Sequence, residues 1–196
     1  MAHFTFREDW ERSYRAKFWD FLKSGNEIPR YSVIAGYLRS LCPTGGVLDL
    51  GCGEGLLYDY LSRANIPGYV GVDWSAAALG CLAQRHRGIQ LAQSDIQAYS
   101  PDPQVRFAAI VFNEVLYYLR QPVSVLQRYT RFMMQDAVII ISMYSHNRLG
   151  EESQAETVRK IWSSIEREPW AVLSSVKLVA EGRNQEWRIQ VLRLRS

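Results

Sequence analysis

The 196-residue chain is poor in the residues that staple a fold or hold a metal. Its three cysteines, Cys42, Cys52 and Cys81, are odd in number and lack CxxC spacing, which argues against a disulfide framework and against a zinc site. Its three histidines, His3, His86 and His146, are too scattered to ligate one ion, so no metal is expected. No apolar run approaches the roughly 20 residues that span a bilayer, so no membrane association is expected either. The opening MAHFTFREDWER has no apolar core of the secretory kind, and the expected location is cytoplasmic. Lysine is scarce: nineteen of the 23 basic residues are arginine, and they are dispersed. Net charge is about +2 over residues 1–46, −1 over 47–147 and +2 over 148–196, so no block of one sign marks a nucleic-acid face. With 47% hydrophobic and 22% charged residues, the composition is that of a globular chain long enough for one domain with a real core.

What is present is concentrated in Val47–Gly55, VLDLGCGEG. An apolar strand ends in Asp49, glycines fall at 51, 53 and 55, and a helical pattern begins at Leu56. Such a turn is stripped of side chains so that backbone can lie against a ligand. A dinucleotide fingerprint needs glycine at its sixth position, where this chain has Leu56, and a P-loop needs a Gly-Lys-Ser/Thr that is absent.

Along the rest of the chain, residues 7–24 read as one amphipathic helix carrying Trp10, Tyr14, Phe18 and Phe21. A second helix is expected from Pro29, with Val33, Ile34, Tyr37, Leu38 and Leu41 on one face. Short apolar strands are expected at 46–50, 69–73, 89–95, 107–113 and 137–143, alternating with helices at 55–64, 75–87, 123–133 and about 151–168. This alternation predicts an α/β fold with a parallel sheet covered on both faces. Val176–Glu181 and Glu186–Leu194 flank Gly182-Arg183-Asn184-Gln185 and read as a hairpin.

An acidic strand end followed by GxGxG, with an acid at Asp73 about twenty residues further on, resembles the class I S-adenosylmethionine (SAM)-dependent methyltransferases. The resemblance covers roughly residues 30–194 and looks closest to the small bacterial type 11/12 group, with a distant similarity to nodulation-type N-methyltransferases. It implies a Rossmann-like domain over 1–196 with a seven-stranded, mostly parallel sheet, a C-terminal antiparallel hairpin and helices on both faces. Residues 1–42 would form a helical lid and 43–196 the core. It implies SAM as cofactor and S-adenosylhomocysteine (SAH) as product. Asp49, Gly51, Cys52, Gly53, Gly55 and Leu56 would face the methionyl part, and Asp73 would accept from the ribose hydroxyls. Trp74 would lie on the adenine or pack into the core, and Ser75 is a good helix N-cap. Ser94, Asp95 and Ile96 resemble the adenine site. Asn113, Glu114 and Val115, in FAAIVFNEVLYYLRQP, would face the sulfonium. Two departures stand out: Ala108 replaces a frequent Asp, and the DPPY or NPPY of amino-methylating DNA and protein enzymes is absent.

On the acceptor side the expectations are fewer. Tyr117 and Tyr118 would offer electron-rich faces or hydroxyls near a cation, or simply pack a helix. His146, Glu114 and Tyr118 are the candidate catalytic groups, with His146 either a general base suited to neutral pH or a surface-loop histidine. Arg30 and Tyr31, in IPRYSVI, would approach the SAM carboxylate, unless Arg30 is merely solvated. Trp19 and Tyr37 complete the aromatic load of the first forty residues. The expected partner is a small-molecule acceptor methylated at O or N, flat or sugar-like, with no nucleic acid, and the protein a monomer or homodimer. Two rival readings are a non-catalytic SAM-binding subunit and an RNA methyltransferase, the latter disfavoured by the lack of an RNA-binding appendage and of a basic block.

Overall fold

A computed structural model describes residues 6–42, 44–61, 67–146, 152–180 and 185–195. Seven strands form one sheet in the order β3-β2-β1-β4-β5-β7-β6. They are β1 (Val47–Leu50), β2 (Tyr69–Asp73), β3 (Gln90–Gln93), β4 (Phe107–Asn113), β5 (Met133–His146), β6 (Trp170–Ala180) and β7 (Gln185–Leu194). β1 to β5 pair in parallel, and β7 runs antiparallel to both β5 and β6. The hairpin is longer than the sequence suggests: of its expected turn at 182–185, Gln185 already belongs to β7 and residues 182–184 lie outside the described residues.

The described residues form six α-helices: α1 (Arg7–Arg15), α2 (Ile28–Leu41), α3 (Leu56–Leu61), α4 (Ala76–Arg85), α5 (Pro122–Tyr129) and α6 (Glu152–Ile165). Strand side chains alternate between faces, so β1 and β4 feed two cores at once. Val47, Ala109 and Val111 pack with Ile34 and Leu38 of α2. Leu48, Leu50, Ile110 and Phe112 pack with Leu126 of α5 and Val158 and Trp162 of α6. α2 is therefore a core helix, which leaves α1 and the aromatic turn after it as the part of the expected 1–42 lid that lies outside the sheet's core. Tyr37 is also withdrawn from that cover, since its hydroxyl is hydrogen-bonded to Ser174 of β6.

The single helix expected over 7–24 does not form. α1 stops at Arg15, Lys17 takes the left-handed conformation (φ +56°), and a 3-10 turn occupies Phe18–Lys23. The reversal lets the Trp19 indole donate to Ser13 Oγ (2.8 Å) and stack on Trp10, with centroids 5.5 Å apart. Aromatic packing thus overrides helix propensity at the cost of one strained residue. Phe18 and Phe21, each 53% exposed, do not plug the sheet's core. Among the described residues no helix is long and apolar enough to cross a membrane.

Candidate functional site

A cavity of about 920 Å³ opens at the carboxyl ends of the parallel strands, where α/β sheets bind ligands. That volume is near the top of the roughly 300–1,000 Å³ range of ligand pockets, enough for a cofactor and an acceptor together.

Its floor is the turn after β1. Gly51 and Cys52 both donate their N–H to the Val72 carbonyl (2.8 and 3.0 Å), which bends the chain toward β2. Gly51, Gly53 and Gly55 have φ of +78°, +55° and +77°, a region costly for residues with a Cβ. A Cβ at Gly55 would stand 2.3 Å from Leu82 Cδ1 in the core, whereas one at Gly53 would meet the Tyr14 hydroxyl at 2.7 Å. Gly55 thus serves helix packing and does not line the cavity, while Gly51, Cys52, Gly53 and Leu56 do. Burial holds the Cys52 thiol well above its ordinary range, leaving it unreactive.

Two acids frame this floor. Asp49 is 1% exposed, its Oδ2 accepts from the Tyr69 hydroxyl (2.7 Å), and its Oδ1 has no partner. Burial pushes its carboxyl up to about 7, against the Tyr69 hydrogen bond and with help from Asp73. A buried carboxyl oxygen without a donor is costly, and a cationic donor such as a ligand ammonium would satisfy it. Asp73 accepts backbone N–H groups, from Gly53 on Oδ2 (2.8 Å) and Ser75 on Oδ1 (2.9 Å), with Trp74 N–H also directed at the carboxylate, so it ties the two turns together while facing the cavity. Burial raises its pKa, opposed by those backbone donors.

Ser75 is spent on structure. Its Oγ accepts from Ala78 N–H (3.2 Å) as the α4 N-cap and donates to Glu11 of α1 (2.7 Å), and it does not line the cavity. Trp74, Ser94, Asp95 and Ile96 do line it; Asp95 Oδ1 accepts from Gln97 N–H (2.8 Å).

Under the cavity's other half lies a polar brace. Arg30, 1% exposed, pairs with Glu27 (2.7 Å), donates to Asn113 Oδ1 and lies 4.3 Å over the Tyr31 ring. Burial works against its charge, but Tyr31, Glu114 and Glu27 outweigh it and raise its pKa. Glu114 has φ +59° and a committed carboxylate: Oε1 accepts from Ser142 (2.6 Å), Oε2 from Tyr117 hydroxyl (2.9 Å) and Tyr144 N–H (2.8 Å). Glu114, one of the candidate catalytic groups, is thereby a brace between β4 and β5, held by three donors. Val115 lines the cavity beside it. Tyr118 does too, set edge-on to Trp10 at 4.7 Å, with its pKa raised by burial and by Glu114. His146 ends β5 opposite Gln185; its side chain lies outside the described residues. Among the described residues no cluster of acid, histidine and cysteine side chains is placed to hold a metal.

α1 covers the glycine turn. Glu11 Oε2 accepts from Ser75 Oγ and from Ala77 N–H (3.1 Å), placing a carboxylate at the N-terminus of α4. Lys23 pairs with Glu54 (2.7 Å) beyond the turn. Glu11, Glu27, Gln154 and Trp187 escaped the sequence reading. The i, i+3 spacing of Glu27 and Arg30 was the one local signal for any of them.

The family described as "Methyltransferase domain" matches residues 8–191. The N-methyltransferase NodS from Bradyrhizobium japonicum WM9, solved with SAH, is similar over 95% of this chain and 99% of its own, with a TM-score of 0.77 and 17% identity. The 1,6-didemethyltoxoflavin-N1-methyltransferase from Burkholderia thailandensis is similar over 97% of this chain and 87% of its own, with a TM-score of 0.72 and 17% identity. A "Ubiquinone biosynthesis O-methyltransferase" from Paracidovorax citrulli (strain AAC00-1) is 28% identical over 120 residues, 57% of this chain. The chain spans about half the length of that curated relative.

Proposed function

The chain belongs to the methyltransferase-domain family, and on that premise we propose that it transfers a methyl group from SAM to an oxygen or nitrogen of a small molecule. The observation that carries the reading is the unpartnered, buried Asp49 Oδ1 beside a glycine turn and Asp73 in one cavity. Asp49 would take the cofactor's ammonium, the Gly51–Gly53 backbone would lie along its methionyl chain, and Asp73 would accept from the ribose. SAM, when bound, supplies an already activated methyl group. The protein's contribution is therefore alignment and dryness. The brace of Arg30, Glu27, Asn113 and Glu114 fixes the ends of β4 and β5 beneath the acceptor, and α1 with its aromatic residues closes the cavity to water. Both O- and N-methyltransferases stand among the similar proteins, so the accepting atom is assigned only as O or N.

Calorimetry with SAH tests the reading. One site per chain is expected, and Asp73→Ala should weaken it roughly ten- to a hundred-fold, since a charged acceptor for two hydroxyls is worth about 1.5–3 kcal/mol. Wild-type affinity in Asp73→Ala would refute the placement of the cofactor.

A further inference from the structure

Among the residues lining the cavity, two carry a buried side-chain oxygen without a partner: Asp49 and Gln154. Asp49 belongs to the half over β1 and β2, which the proposed function assigns to the cofactor. Gln154 belongs to the other half. It sits in the first turn of α6, the helix that packs on β5 and on the 3-10 turn Leu116–Tyr118. It is 7% exposed, and its Oε1 is shielded from solvent with nothing to accept from. A buried carboxamide oxygen left in this state calls for a donor supplied from elsewhere.

Aromatic residues lining the same cavity narrow what kind of molecule brings that donor. Tyr144 and Trp187 form one aromatic pair, with centroids 5.3 Å apart. Tyr118, packed against Trp10 and against Tyr117, forms a second aromatic group on the same cavity. Such surfaces favour flat, apolar rings. The buried charges nearby are already answered: Glu114 by three donors, and Arg30 and Glu27 by each other. Arg120 stands at the exposed rim, in water. An ionised acceptor would therefore enter without a desolvated counter-charge to meet it.

Building on the proposed function, we infer that the half of the cavity over β5 and β7 is the acceptor subsite. It takes an uncharged aromatic ring bearing a hydroxyl or N–H, which donates to Gln154 Oε1. Gln154 thereby selects acceptors that carry a donor on the ring and sets the ring's orientation relative to the methyl group.

The test uses the full-length chain saturated with SAH, which permits binding but no turnover. Three probes are titrated by ligand-detected NMR: catechol, 1,2-dimethoxybenzene, which keeps the ring and loses the donors, and benzoate, which carries a charge. Catechol is expected to bind about five- to tenfold more tightly than dimethoxybenzene, the worth of one buried hydrogen bond, with benzoate weakest. In Gln154→Leu the catechol preference should shrink to within about twofold, while SAH affinity stays at the wild-type value. Gln154→Glu, which keeps an accepting oxygen, should retain the preference. Should the leucine variant not fold, the wild-type comparison and the glutamate variant still decide. Equal binding of catechol and dimethoxybenzene, a preference that survives in Gln154→Leu, or tightest binding by benzoate would each overturn the inference while leaving cofactor binding intact. Failure of the wild-type protein to bind SAH would instead remove the proposed function and this inference with it.

Discussion

Asp49→Asn should make the unliganded protein more stable and the cofactor complex weaker, a pairing of opposite signs. The folded carboxyl titrates at about 7 against an ordinary 3.8, and burial is the cause. Between those values the folded state holds a proton that the unfolded state has lost, so the stability Asp49 contributes is fully present below about pH 4 and is lost as pH rises to 7. The gap corresponds to about 4 kcal/mol at roughly 1.4 kcal/mol per pH unit. Asparagine keeps the shape and an oxygen for the Tyr69 hydroxyl but carries no charge to desolvate. Its amide N–H groups find no acceptor in place of the orphaned Oδ1, which returns about 1–3 kcal/mol of that gain. At pH 8 the net expectation is a variant more stable by about 1–3 kcal/mol, on the order of 5 °C for a domain of this size. At pH 4, where both states of the wild type are largely protonated, the order should reverse and the variant be the less stable protein. SAH binding should move the other way, weakening about ten- to a hundred-fold through loss of the carboxylate–ammonium contact. Wild-type affinity should also rise with pH up to about 7, where the variant's stays flat. Urea melts of both proteins from pH 4 to 8, with calorimetry at the same values, measure all of this. Parallel stability–pH curves, or a variant that binds SAH as the wild type does, would refute the reasoning.

The same geometry sets three further outcomes. Gly55→Ala should cost about 2–4 kcal/mol of stability, from left-handed strain plus overlap with Leu82, with a smaller effect on SAH affinity. Gly53→Ala carries the same left-handed strain but meets the Tyr14 side chain in place of a core leucine, so it should cost less stability and more SAH affinity than Gly55→Ala; thermal melts and calorimetry on both variants decide, and identical profiles would contradict the division. Glu11→Ala removes the carboxylate at the start of α4 and should cost about 1 kcal/mol. Because its hydrogen bonds to Ser75 and Ala77, with burial opposing them, lower the Glu11 pKa from 4.5, that contribution is present at neutral pH and disappears on acidification below it, so wild type and variant should converge in melts near pH 3. Deleting residues 1–24 should leave a folded domain, since α2 and not α1 packs the sheet, but one that binds SAH several-fold more weakly and transfers methyl poorly; a truncate with full activity would show that α1 is not a cover.

Local pattern carried the architecture. Continuous apolar runs such as Phe107–Asn113 can satisfy both faces only inside a covered parallel sheet, and the glycines at 51, 53 and 55 tolerate a left-handed backbone that few other residues would. Asp49, Asp73 and Asn113 were legible as cavity-lining residues because a polar residue closing such a strand emerges at its carboxyl end, where α/β sheets bind ligands. The sequence did not disclose how those side chains are spent. Arg30 and Asn113 meet across 83 positions, and Glu114 binds Ser142 and Tyr144 from a neighbouring strand. Ser75 reaches Glu11 on a helix that the sequence placed in a longer, straighter element. Each of those partnerships depends on which surfaces come together, and so does the isolation of Gln154 Oε1. Periodicity specifies which face of an element is buried; which donor then lies within 3 Å of which acceptor is decided only when the elements pack.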